Sequence, residues 1–281
     1  MRIRRARATC AAVLLPLLVA ACDKVSLVVP LRVCVVQGSA FAPAAQAPNI
    51  PVLEARVHEL LSTASAFWIE QAGIGILAYP DVLVIQDPTP TVTPRQKVGD
   101  VVQDLGLGGP TQESLDMIQA CDTEWARLPT GKPPGVTLVF ARDFASQGGG
   151  VNISMLGFTP AIGTASCTAP YHIDPTFVRS RWSIVKTNLN GDHTPAQWQK
   201  SIVGTIEHEF GHILLLRHGN GKDDDANGVW DEECDAKEYS AFDLKDPQTS
   251  FNLMAPQSSV STGITALQVA LARAAAVDLT K

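Results

Sequence analysis

Residues 208–218 read HEFGHILLLRH. His208 and His212 are four apart. A helix advances about 100° per residue, so both side chains leave one face, a single turn apart. Two imidazoles so placed can share one metal ion. Glu209 is one step round the helix, where it reaches a water near that ion without taking a ligand position. These residue types at this spacing are the HExxH zinc arrangement; the alternative is two surface histidines on an ordinary helix. The flanks are apolar, with IVGTI before and ILLL after. Polar groups on such an element face a buried or cleft-lining environment, where a cation offsets the cost of their burial. His218 follows His212 by six residues, and Met254 stands a further 36 residues on, in SFNLMAP.

HExxHxxxxxH followed by a methionine turn resembles the metzincin zinc endopeptidases, whose usual pattern is HExxHxxGxxH. The resemblance implies that His208, His212 and His218 bind Zn2+, that Glu209 is the general base of peptide-bond hydrolysis, and that Met254 forms a hydrophobic floor under the metal. It implies an α+β fold over residues 52–281, divided near residue 218. Above the cleft stands a twisted mixed sheet with two helices. Below it lie an irregular subdomain, the methionine turn and a closing helix over 265–275. A peptide substrate then lies extended along an edge strand within 150–170, held by backbone hydrogen bonds. No tyrosine follows Met254, so the extra ligand of the astacin branch is missing.

One position departs from the family pattern. Leu215 stands where the motif has glycine. Were the helix to continue, His218 would lie about 15 Å from His208 along the axis, too far to share a metal. A leucine in the left-handed region costs about 1–2 kcal/mol, which metal binding exceeds several-fold. The turn could instead form at Gly219. The alternative third ligand is a carboxylate from Glu232, Glu233 or Glu238.

Residues 219–235 carry seven acids between Asp223 and Asp235. With Asp223 as position one, Asp225, Asn227, Val229 and Asp231 fall at positions three, five, seven and nine, and Gly228 at six. This matches the start of an EF-hand-like Ca2+ loop, although position twelve is Cys234. The alternative is a solvated acidic loop. His58 and His193 read as surface residues. His172, near Tyr171 and Asp174, is a second metal candidate. Trp68, Trp125, Trp182 and Trp198 read as core.

The N-terminus reads as an address. Arg2, Arg4, Arg5 and Arg7 precede an eleven-residue apolar run, Ala11 to Ala21. That run is shorter than the roughly 20 residues of a spanning helix and suits a signal peptide. It ends in LVAAC, which resembles a bacterial lipobox with Cys22 as the lipidated residue. Residues 1–21 then form the leader and 22–51 a lipid-anchored strand and linker. The protein is placed in the cell envelope, facing periplasm or exterior. Without the leader the chain has 18 basic and 28 acidic groups, a net charge of −10. No basic patch is visible, which excludes nucleic acid as a partner. A hydrophobic content of 46% excludes a disordered chain. Cys34, Cys121, Cys167 and Cys234 remain as disulfide candidates in an exported chain, with three pairings open; buried free thiols are the alternative.

Several elements must position the motif. Strands are predicted over 25–36, 76–85, 136–140 and 181–187, with Pro30 breaking or edging the first. An edge strand falls somewhere in the glycine-spotted stretch 148–174. Helices are predicted over 52–71, over 111–127 with Thr111 as cap, and from Thr194-Pro195 into the motif. The implied activity is that of a lipid-anchored, monomeric zinc endopeptidase acting on a peptide or protein. The alternative is a non-catalytic zinc- or calcium-binding surface lipoprotein that presents a face to a partner.

Overall fold

The computed structural model describes residues 25–43, 47–86, 91–93, 110–145, 156–159, 181–189, 192–216, 253–254, 263–264 and 266–280. The chain order is β1 (Leu27–Val36), α1 (Ile50–Ala72), β2 (Ile74–Ile85), β3 (Thr91–Val92), α2 (Gln112–Arg127), β4 (Val136–Ala141), β5 (Asp143–Phe144), β6 (Gly157–Phe158), β7 (Trp182–Lys186), α3 (Pro195–Ile213) and α4 (Ala266–Leu279). None of the described helices is long and apolar enough to cross a membrane.

The main sheet runs β2-β1-β4-β7-β6. Its first four strands are parallel, and β6 joins β7 antiparallel at the edge. The sheet is therefore mixed, as expected, but the class is corrected from α+β toward α/β. The reason is connectivity: β1, α1 and β2 form a parallel unit, and parallel neighbours need a crossover such as a helix. Strand β1 lies inside the sheet, between β2 and β4. Residues 27–36, predicted as a strand within the anchored segment ahead of residue 52, thus supply a central strand of the main sheet.

Alternation along β1 explains why helices cover both faces. Val29, Leu31, Val33 and Val35 face a core shared with α1, α3 and α4. Cys34 and Val36 face a second core with Met117, Ile118, Cys121 and Trp125 of α2. A strand buried on both sides reads as a near-continuous apolar run, as LVVPLRVCVV does. Where two helices were expected with the sheet, α1, α3 and α4 share one face and α2 covers the other.

The cysteine pairing left open by sequence is settled for one pair. Cys34 of β1 and Cys121 of α2 form a disulfide, with Cα atoms 5.8 Å apart. Both are fully buried, so the bond staples α2 to the central strand from within the core. Cys22, Cys167 and Cys234 lie outside the described residues.

The helix ends follow local chemistry. Asn49 caps α1, and Gly73 ends it in the left-handed conformation. Thr111 caps α2 as expected. Thr194 caps α3 through a full capping box with Gln197, and Pro195 occupies the first turn. Strand β2 starts at Ile74, two residues before the predicted start at 76.

Candidate metal centre on helix α3

The last two turns of α3 carry His208, Glu209 and His212. The side chain of each histidine is oriented by a carbonyl outside the regular helix. His208 Nδ1 lies 2.7 Å from Leu253 O, and His212 Nδ1 lies 2.7 Å from Leu216 O. A carbonyl only accepts, so each Nδ1 donates, and Nε2 is the ring atom each histidine turns towards the other. The two Nε2 atoms face each other at 3.1 Å. Two ring nitrogens at that separation are compatible with a proton on one of them or a metal ion between them. Imidazoles oriented through Nδ1 by backbone carbonyls are a common arrangement in zinc sites, so these two donors are compatible with zinc, which takes at least three protein ligands. Among the described residues, no group of three or more His, Cys, Asp or Glu converges on one point. His218, the alternative ligands Glu232, Glu233 and Glu238, and His172 lie outside the described residues. So do Asp223, Asp225, Asn227, Val229 and Asp231 of the acidic loop.

The chain leaves the helix at the departure from the family pattern. Leu215 has φ 67°, the left-handed region. Its N–H donates to His212 O and that of Leu216 to Gly211 O, both at 2.9 Å. This pair of bonds is the Schellman arrangement, normally built around glycine. Leu214 N–H donates to Phe210 O. The remaining carbonyl, that of Ile213, accepts from Arg181 Nη1 at 2.5 Å. The last four carbonyls of the helix, which an isolated helix leaves without partners, are therefore all satisfied. Leu214 and Leu216 are buried on either side. These terms together outweigh the roughly 1–2 kcal/mol strain of a left-handed leucine. The turn also delivers Leu216 O to His212. Burial pulls the Arg181 guanidinium down to about 10, which leaves it charged at neutral pH.

Met254 lies where the helix is thinnest. It is fully buried, and a Cβ on Gly211 would overlap its Sδ and stand 3.2 Å from its Cε and 3.4 Å from Trp68 Cζ2. The Leu253–Met254 turn thus does two things: its carbonyl orients His208, and its methionine packs against the helix at Gly211. Trp68 packs edge-on to Phe210 and donates to Glu207 O at 3.2 Å. Burial raises the Glu207 carboxyl to about 7. Replacing Gly211 with alanine is expected to destabilise the fold by about 1–3 kcal/mol through overpacking. That net loss comes despite a helix-propensity gain of about 1 kcal/mol. Thermal melts of the variant beside the parent check this, and an unchanged or higher midpoint would contradict the packing argument.

Glu209 is 5% exposed. Thr159 Oγ1 donates to its Oε2 at 2.6 Å and lies 3.3 Å from its backbone oxygen. Gly157, in the edge strand β6, lies against the same carboxylate, and a Cβ there would overlap Oε1 and Cδ. The edge strand expected within 150–170 is thus β6, and it borders Glu209. Sequence reasoning passed over Gly157, Thr159, Arg181 and Gly211. A glycine inside a predicted helix signals close approach, so Gly211 had a readable sign; Thr159 and Arg181 had none. Of the other histidines, His58 Nε2 lies 3.0 Å from Pro80 O, and His193 is exposed. Trp68, Trp125 and Trp182 are buried as expected, and Trp198 is partly buried.

No family model matches the chain, and no curated protein matches it. Among solved structures it is similar to the crystal structure of archaemetzincin from Methanopyrus kandleri. That likeness covers 88% of this chain and 94% of the other, at 13% identity and a TM-score of 0.40. At that level of similarity it carries no argument about what this chain does.

Proposed function

We propose that this chain is a zinc-dependent endopeptidase, with His208, His212 and His218 holding the metal and Glu209 acting as general base. The observation that carries the reading is the 3.1 Å approach of the two Nε2 atoms, with a buried glutamate next in sequence to His208. Zinc, when bound, supplies Lewis-acid polarisation of the scissile carbonyl and makes water nucleophilic near neutral pH. The chain's own residues do the rest. Leu253 O and Leu216 O hold the two imidazoles in the tautomer that leaves Nε2 unprotonated. The Glu209 carboxylate takes a proton from the water that attacks the carbonyl carbon. It passes that proton to the amide nitrogen as the C–N bond breaks. Strand β6, at the sheet edge, offers backbone groups to an extended peptide.

The reading extends to location. A lipid on Cys22 anchors the mature protein in the bacterial cell envelope. The buried Cys34–Cys121 bond supports export, since such bonds persist in oxidising compartments.

The test is cleavage of an unfolded protein by the purified protein, with the metal removed by chelation and restored. Cleavage that stops on chelation and returns with stoichiometric zinc is expected. A zinc-loaded protein that cuts no peptide bond in any unfolded substrate would overturn the endopeptidase assignment.

A further inference from the structure

We propose that Thr159 is a positioning residue for the base, fixing the plane of the Glu209 carboxylate from the edge strand. The proposal rests on the peptidase reading for its kinetic consequence, while its geometric consequence stands apart from it. A glutamate ends in a torsion with a broad, shallow preference, so a carboxylate held only by its own stem samples many orientations. Proton transfer needs one of them. Two contacts from the β6 segment select it. The Thr159 hydroxyl holds Oε2 at 2.6 Å, the short range of a charge-assisted bond. Gly157 brings backbone against Oε1, where any side chain would intrude.

The hydroxyl itself is well placed to act as a clamp. Threonine is stiff at its first torsion, and among the described residues Oγ1 has two acceptors, both of Glu209: the carboxylate and, at 3.3 Å, the backbone oxygen. The segment is anchored in turn. Gly157 pairs with Val185 and Phe158 with Ile184. Phe158 is buried and packs edge-on to Trp182 at 5.8 Å, and its carbonyl accepts from Ser183 Oγ at 3.3 Å. The Thr159 hydroxyl therefore ties Glu209 to the sheet across 50 residues of sequence and registers it to the strand proposed to receive substrate.

The experiment compares Thr159→Val, which keeps the shape and loses the donor, with Thr159→Ser, which keeps the donor. Thr159→Ala serves as a second donor-free variant should valine impair folding. All are made in the full protein and assayed on the substrate cut by the parent. Thr159→Val is expected to lower kcat by about 10- to 100-fold, with KM and zinc content unchanged, and Thr159→Ser to recover most of the rate. Crystals of Thr159→Val are expected to show Glu209 in more than one orientation. A valine variant with parental kcat overturns the proposal. So does a serine variant as slow as valine, or a Glu209 carboxylate that keeps its single position without the hydroxyl. If the parent cuts nothing although zinc is bound, the peptidase reading fails instead, and the crystallographic comparison still decides the role of Thr159.

Discussion

Glu209→Gln is expected to lower kcat by about 10²–10⁴-fold while the protein keeps its zinc. Glutamine preserves the length of the side chain and can still accept from Thr159, so the site keeps its shape. What it loses is the capacity to carry a proton from water to the leaving nitrogen. His212→Ala is expected to behave differently. It removes one of the two facing Nε2 atoms and leaves Leu216 O without the imidazole that binds it. Zinc content should then fall from about one per chain towards none, together with activity. Metal analysis after dialysis, run beside kinetics, separates the two effects. A glutamine variant with parental kcat would remove Glu209 from the reaction. A His212 variant with full zinc content would remove that residue from the ligand set.

Replacing both Cys34 and Cys121 with alanine is expected to destabilise the protein by about 4–5 kcal/mol. The two are 87 residues apart, and closing a loop of that length removes much of the unfolded chain's freedom. For a domain of this size the midpoint of thermal unfolding should fall by about 10–15 °C. Both sulfurs are fully buried between α2 and the sheet, so mild reductant should leave the folded parent unchanged and act only once it opens. Calorimetry of the double variant checks the size of the effect. A midpoint within 2 °C of the parent would show that packing alone holds α2 in place.

Much of the site was legible because it is local. The spacing of His208 and His212 needs only helical geometry to bring two imidazoles to one face, and their Nε2 atoms do lie 3.1 Å apart. Thr194, Pro195 and Gln197 announce the start of α3, and the structure has the capping box there. The main strand and helix order upstream was readable from periodicity, with bounds within two residues, while the two-residue strands β3 and β5 were not foreseen. The fold class was misjudged because periodicity reports which residues are apolar, not which strands pair. Only contacts between distant segments make β1 a central parallel strand with helices on both faces.

The helix exit shows the division most clearly. Local preference argues against a left-handed leucine, and Gly219 offered an easier place to turn. The chain turns at Leu215 because of groups remote from it: Arg181 caps Ile213 O across 32 residues, and Leu214 and Leu216 enter the core. The same holds for Leu253 O on His208 and for Thr159 on Glu209, which act across 45 and 50 residues. Which residues could do chemistry, and on which face of a helix, follows from spacing alone. How the imidazoles are turned, what holds the glutamate and which cysteines join depend on contacts between distant segments. Those contacts have no period or neighbour signal along the chain, and only the packed core brings them together.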